Sequence, residues 1–295
     1  LRITNAGGSA YPGGWENYRA RVSADNADWL CADTHYDNGV LTIRHKPAGD
    51  TVWFAYFAPF DSQRHRAFVE KAKTLPGMTH RVLGQTLDGR DLDLFTLGNG
   101  AAKVWLYARQ HPGETMAEWW MEGAIAFLTG NDPAAVSLRE AATFYIVLNM
   151  NPDGSARGHL RTNAAGVDLN REWAGPTMER SPEILYVLQA MIETGVDFAI
   201  DVHGDEAIPH VFMAGFEGTP SWSEARGTLY QSYLDRLLAR TPDFQTTFGY
   251  DIPAPGAANL AISTNAVAER FKAIAMTLEM PFKDHDDAPE PVRAW

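Results

Sequence analysis

The sequence predicts an α/β domain preceded by a small β-rich module, on three observations. Apolar runs of strand length recur at Lys103 to Ala108, Ala142 to Met150, Phe198 to Val202, Val211 to Ala214 and Ile274 to Met280, separated by segments of helical spacing. The first sixty residues lack that helical period and read as short strands and turns. Unusual polar residues sit at the carboxyl ends of the apolar runs, where ligands of open α/β sheets bind.

In chain order, Asp37-Asn38-Gly39 supplies residues that tolerate positive φ, and the alternating run Val40 to His45 follows it, so a hairpin is expected here. Thr51 to Phe60 is a second β-like stretch, rich in aromatics. Sixty residues make a thin, sandwich-like unit, which must pack on its neighbour or have lost strands by truncation. The expected boundaries are 1–60 for this module and 61–295 for the α/β domain. Asp61 or Ser62 can cap a helix carrying Phe68, Val69 and Ala72. A longer helix follows Glu114, with Ala117, Trp120, Met121, Ala124 and Leu128 on one apolar face, and Glu118 and Glu122 expected in solvent on the other.

The chain has 295 residues, enough for one large domain and a small module. A formal charge of −12 argues against wrapping nucleic acid or lying on an anionic membrane. No segment approaches the roughly 18 consecutive apolar residues of a membrane span. Cys31 is the only cysteine, so no internal disulfide framework exists, and a reducing, cytoplasmic setting is expected. The sequence begins at Leu1 rather than methionine, so a natural start can lie upstream.

His111 and Glu114 flank Pro112-Gly113, a pair that turns tightly at a strand end and can bring imidazole and carboxylate to one point. His203 adds a third donor at another strand end, and Asp201, two residues earlier on the same side of that strand, can orient its ring. Two imidazoles and one carboxylate leave a fourth position open on zinc, the mark of a catalytic site. Arg161 and the Asn170-Arg171 pair suit a carboxylate or a developing oxyanion. Glu279 is a carboxylate in an apolar strand, which implies that it faces a polar cavity.

These stretches together resemble the zinc metallocarboxypeptidases, and within them the cytosolic carboxypeptidases and their bacterial relatives. The resemblance is carried by 54–59, Leu83 to Arg90, His111 to Thr115, Asn151-Pro152-Asp153-Gly154, Arg161-Thr162-Asn163, Gly166 to Arg171, Asp201 to Gly204 and Thr277 to Phe282. It implies a mixed, mostly parallel sheet flanked by helices, with a β-sandwich module before it. It also implies one Zn2+ held by His111, Glu114 and His203, Glu279 activating water, and Arg161 supporting the oxyanion, with Arg157 as its nearby competitor. Asn170 and Arg171 match the pair that holds the substrate's terminal carboxylate. Tyr250 matches the family's mobile tyrosine, and Arg270 is the candidate basic residue of a pocket for an acidic terminal side chain such as glutamate. Gly113 departs from the digestive enzymes, which carry a substrate-binding arginine there.

The expected activity is therefore zinc-dependent hydrolysis of a C-terminal peptide bond in a peptide or protein, releasing single amino acids. One rival keeps the zinc chemistry for N-acyl amino acids or γ-linked peptidoglycan peptides. Another is a zinc-binding module that recognises C-terminal tails without cleaving them.

Overall fold

The computed structural model describes residues 1–283; the last stretch of the second expected unit lies outside them. A seven-stranded sheet forms the centre, ordered Phe212–Ala214, Ile274–Pro281, Phe198–Asp205, Ala102–Ala108, Ala142–Val147, Asp91–Leu97 and Thr79–Gln85. The four strands from Ile274–Pro281 to Ala142–Val147 run parallel, and the outer strands pair antiparallel to them and to each other. The mixed sheet thus agrees with the expected fold class. The hairpin of Thr79–Gln85 and Asp91–Leu97 was legible only as a motif. Its turn is clamped by Asp153, which accepts from Thr86 Oγ1 (2.7 Å), the Asp88 N–H (2.9 Å) and Arg90 Nη1 (2.8 Å). The Ala142 strand ends at Val147, short of the expected Met150.

Helix Ser62–Lys73 starts at Asp61, whose side chain accepts from the Arg64 N–H at 2.8 Å. Helix Met116–Thr129 turns Met116, Ala117, Met121, Ile125 and Leu128 into the core. One expectation is corrected here: Glu118 is fully buried rather than solvated. Arg109 pairs with it, His65 Nδ1 lies 2.6 Å from its Oε1, and Asn149 Nδ2 donates to its Oε2 at 3.1 Å. A charge survives burial only with such partners. Glu122 stays half-exposed and pairs with Arg64 at 2.8 Å.

The amino-terminal residues form two three-stranded antiparallel sheets around Ala6, Tyr18, Ala20, Val22, Ala32, Leu41 and Ile43. The expected hairpin is present, with Asn38 and Gly39 both at positive φ between strands Asp33–Asp37 and Val40–Arg44. Tyr56 stacks on Phe282 at 4.5 Å between ring centroids, so this small unit packs against the end of the last central strand. No helix among the described residues is long and apolar enough to cross a membrane.

Candidate metal centre and active-site cavity

The chain leaves the Ala102–Ala108 strand through Arg109, whose φ of 61° lies in the left-handed region that side chains seldom adopt. Its guanidinium holds this bend by donating to the carbonyls of Phe60 (2.6 Å) and Pro112 (3.0 Å) and to Glu118. The turn that follows brings His111 and Glu114 together. Gly113 donates its N–H to the Leu160 carbonyl at 2.8 Å, and a Cβ at Gly113 would also come within 2.8 Å of that oxygen, so this position has no room for a side chain.

His111 Nδ1 lies 2.6 Å from Glu114 Oε1, His203 Nδ1 lies 2.8 Å from Glu114 Oε2, and the two Nδ1 atoms are 3.1 Å apart. Each ring turns its other nitrogen to a carboxylate: His111 Nε2 is 3.0 Å from Asp168 Oδ1, and His203 Nε2 is 2.9 Å from Asp201 Oδ1. With Nε2–H of His111 donated to Asp168 and His203 Nε2 held beside Asp201, both Nδ1 atoms face inward beside the Glu114 carboxylate. Three lone-pair donors converging on one point repel one another unless a cation lies between them. Two nitrogens about 2.0–2.1 Å from a tetrahedral zinc would stand roughly 3.3 Å apart, close to the spacing found. The donor set therefore fits one zinc ion, and it is the only such cluster among the described residues.

Glu279 stands opposite His203 in the parallel register. Its Oε1 accepts from the Tyr250 hydroxyl at 3.1 Å, and its Oε2 is buried without a hydrogen-bond partner among the described residues. Burial pushes its carboxyl well above the usual carboxylate range; His203 opposes this, while Glu114 and Asp205 add to it.

These groups open into a cavity of about 710 Å³ that Arg161, Asn170, Arg171 and Tyr250 also line. Arg161 Nε donates to Asp168 Oδ2 at 2.8 Å. Asn170 Oδ1 accepts the Ser263 N–H at 2.9 Å, leaving its NH2 for the cavity. The Tyr250 hydroxyl also lies 2.8 Å from Asp205 Oδ2, so its single proton is shared between the two carboxylates. Arg157 is bound to Asp88 at 2.6 Å and does not line the cavity, so Arg161 is the arginine in reach.

Arg270 is a correction. It is exposed on a separate surface hollow with Trp173, Ala174 and Leu260, because helix Ser263–Phe271 presents Thr264 and Asn265 to the cavity and turns Arg270 away. Two contributors escaped the sequence reading. Asp168 bridges His111 and Arg161, yet in sequence it reads as a turn carboxylate, and it does accept the Asn170 N–H at 2.9 Å. Tyr11 to Gly14 of the amino-terminal unit form part of the cavity wall, with the Tyr11 ring centroid 5.7 Å from the Arg161 guanidinium carbon; no local signal marks a turn so far along the chain from the other lining residues.

Comparison with known proteins gives the family and the fold. The family model for the cytosolic carboxypeptidase N-terminal domain matches residues 1–57, and the zinc carboxypeptidase model matches residues 65–208. A metallo-carboxypeptidase from Burkholderia cenocepacia superposes with a TM-score of 0.95 at 43% identity, over 99% of this chain and 79% of that one. A metallo-carboxypeptidase from Pseudomonas aeruginosa, in complex with (2-guanidinoethylmercapto)succinic acid, gives 0.95 at 45% identity, over 99% and 80%. Cytosolic carboxypeptidase 1 of Danio rerio is 31% identical over 71% of this chain, a match spanning only 19% of that longer protein. The convergent donors, the sheet that carries them and these matches together make the chain a member of the zinc carboxypeptidase family, of the cytosolic carboxypeptidase-like kind.

Proposed function

We propose that the chain is a zinc-dependent carboxypeptidase that hydrolyses the terminal peptide bond of a peptide or protein and releases single amino acids. The observation that carries this reading is Glu279, with one unpartnered carboxylate oxygen, beside three convergent donors in a cavity that also holds Arg161, Asn170 and Arg171. A zinc ion held by His111, Glu114 and His203 would activate water and polarise the scissile carbonyl. Glu279 takes the water's proton and passes it to the leaving amine, a role that a carboxyl pushed up by burial fills better than an exposed one. Arg161 donates to the carbonyl oxygen as negative charge grows on it. The Asn170 NH2 and the Arg171 guanidinium hold a free carboxylate one residue past the bond, which makes cleavage terminal. Tyr250 covers the substrate from the cavity rim. The Pseudomonas relative's bound compound is a succinic acid, which suits a site for carboxylates. Arg270 lies outside the cavity and offers no basic pocket for a terminal glutamate.

The test is a pair of peptides identical except that one ends in a free carboxylate and the other in an amide. Loss of a residue from the free form alone supports this reading. Equal cleavage of both, or cleavage of N-acyl amino acids with both peptides intact, favours the deacylase rival.

A further inference from the structure

Beyond Glu279, the cavity continues between the edge strand Phe212–Ala214 and helix Ser263–Phe271. Its wall there is made by Ala214, Thr264 and Thr277, with the two threonine hydroxyls bonded to each other at 2.7 Å. In the antiparallel register Ala214 faces Thr277 and Phe212 faces Glu279, so this end lies next to Glu279. Small, mutually satisfied groups make a neutral wall with room for a side chain. The exception is Glu217.

Glu217 follows Gly215, which also lines the cavity, and folds back over it. A Cβ built on Gly215 would come 2.3 Å from Glu217 Oε2, so the carboxylate occupies the space that a side chain at 215 would take. The half-buried Glu217 side chain has no hydrogen bond or ion pair to another side chain among the described residues, and burial pushes its carboxyl up. Glu206, only 8% exposed and likewise without a side-chain partner among the described residues, lines the same cavity. The only arginines or lysines in that lining are Arg161 and Arg171, which the reading above commits to the substrate's carbonyl and terminal carboxylate.

We propose that Glu217 is a specificity-determining residue that selects a C-terminal residue with a cationic side chain, of the lysine or arginine class. The proposal rests on the carboxypeptidase reading and deepens it. A carboxylate half-withdrawn from water with only its own backbone N–H to bond is under-satisfied, and a bound ammonium or guanidinium would supply charge-assisted hydrogen bonds that a neutral side chain cannot. An acidic side chain would meet Glu217 as a like charge, and no cation in that part of the wall offsets it. Discrimination follows because a neutral or acidic terminal side chain leaves this carboxylate without a cation.

The experiment measures kcat/KM, with zinc supplied, for four peptides that differ only in a last residue of lysine, arginine, norleucine or glutamate. Wild type is compared with Glu217→Gln, which keeps shape and removes charge. The expected result is a preference for lysine and arginine over norleucine of about tenfold or more, with glutamate slowest, and a collapse of that preference to within about twofold in the variant, carried mainly by KM. Zinc content and thermal unfolding of the variant verify that it is folded and loaded. If residues are released but glutamate or norleucine is preferred, or the ratio is unchanged in the variant, the assignment of Glu217 is overturned while the carboxypeptidase reading stands. If no peptide loses a residue, the carboxypeptidase reading fails and this proposal falls with it.

Discussion

Glu279 and His203 face each other across two parallel strands, in direct register, with the histidine turned into the three-donor cluster and the glutamate into the cavity beside it. The sheet therefore fixes the spacing between Glu279 and His203, while the turn after Ala108 brings in the other two donors, His111 and Glu114. Replacing Glu279 with Gln preserves this frame and removes the basic oxygen. The variant is expected to lose about 10²–10⁴ in kcat while binding one zinc per chain, checked by steady-state kinetics alongside metal analysis. Loss of the metal would contradict the role assigned to Glu279.

Asp168 joins two functions, since one oxygen meets His111 Nε2 and the other Arg161 Nε. Burial pushes its carboxyl up, but His111 and Arg161 more than reverse this and hold it well below the usual range. Asp168→Asn would let the His111 ring turn and would free Arg161. Zinc affinity is expected to fall about 10–100-fold, measured by competition with a chromophoric chelator, and kcat is expected to stay reduced even at saturating zinc.

Glu118 secures the bend at Arg109 that begins the His111 turn. Removing one partner of a buried ion pair strands the other, so Glu118→Ala should cost about 3–5 kcal/mol in urea unfolding. Burial raises the Glu118 carboxyl, whereas His65 and Arg109 lower it further, and the folded value lies below the ordinary one. A depressed folded value stabilises above the unfolded pKa and is lost as pH falls through the folded pKa. The gap between wild type and variant should therefore narrow in acid.

Glu183 has the opposite sign. It is fully buried, its Oε1 has no partner among the described residues, and burial pushes its carboxyl up to about 7. The folded state then holds a proton that the unfolded state has released between pH ~4.5 and ~7, so this group subtracts stability as pH rises through that window. Glu183→Gln is expected to be more stable than wild type by about 1–3 kcal/mol at pH 8 and within about 1 kcal/mol near pH 4.5, compared by urea unfolding at both values.

What could be read from the sequence divides along physical lines. His203 and Glu279 were legible because each is a polar residue in an apolar strand, and burying such a group needs a reason; His111 and Glu114 were legible because Pro112-Gly113 turns tightly between them just past a strand end. The Asp61 cap and the Asn38-Gly39 hairpin were legible because their chemistry is local. Glu118 was not, since helical periodicity places it on the polar face and its partner Arg109 arrives from the preceding strand end. Arg270 was misplaced because the sequence gives a helix but not its rotation about the axis, and a few residues past Asn265 the face has turned from the cavity. Glu217 gave no signal at all, because only the fold reveals that its carboxylate lies over a glycine.

The central claim is metal-dependent trimming from the carboxyl end, and mass spectrometry of a peptide mixture tests it most directly, run with zinc and again with a chelator. The account predicts loss of one residue at a time from the carboxyl terminus with zinc, and intact peptides with chelator. Cleavage at internal bonds, or trimming that persists after the zinc is stripped, would contradict it.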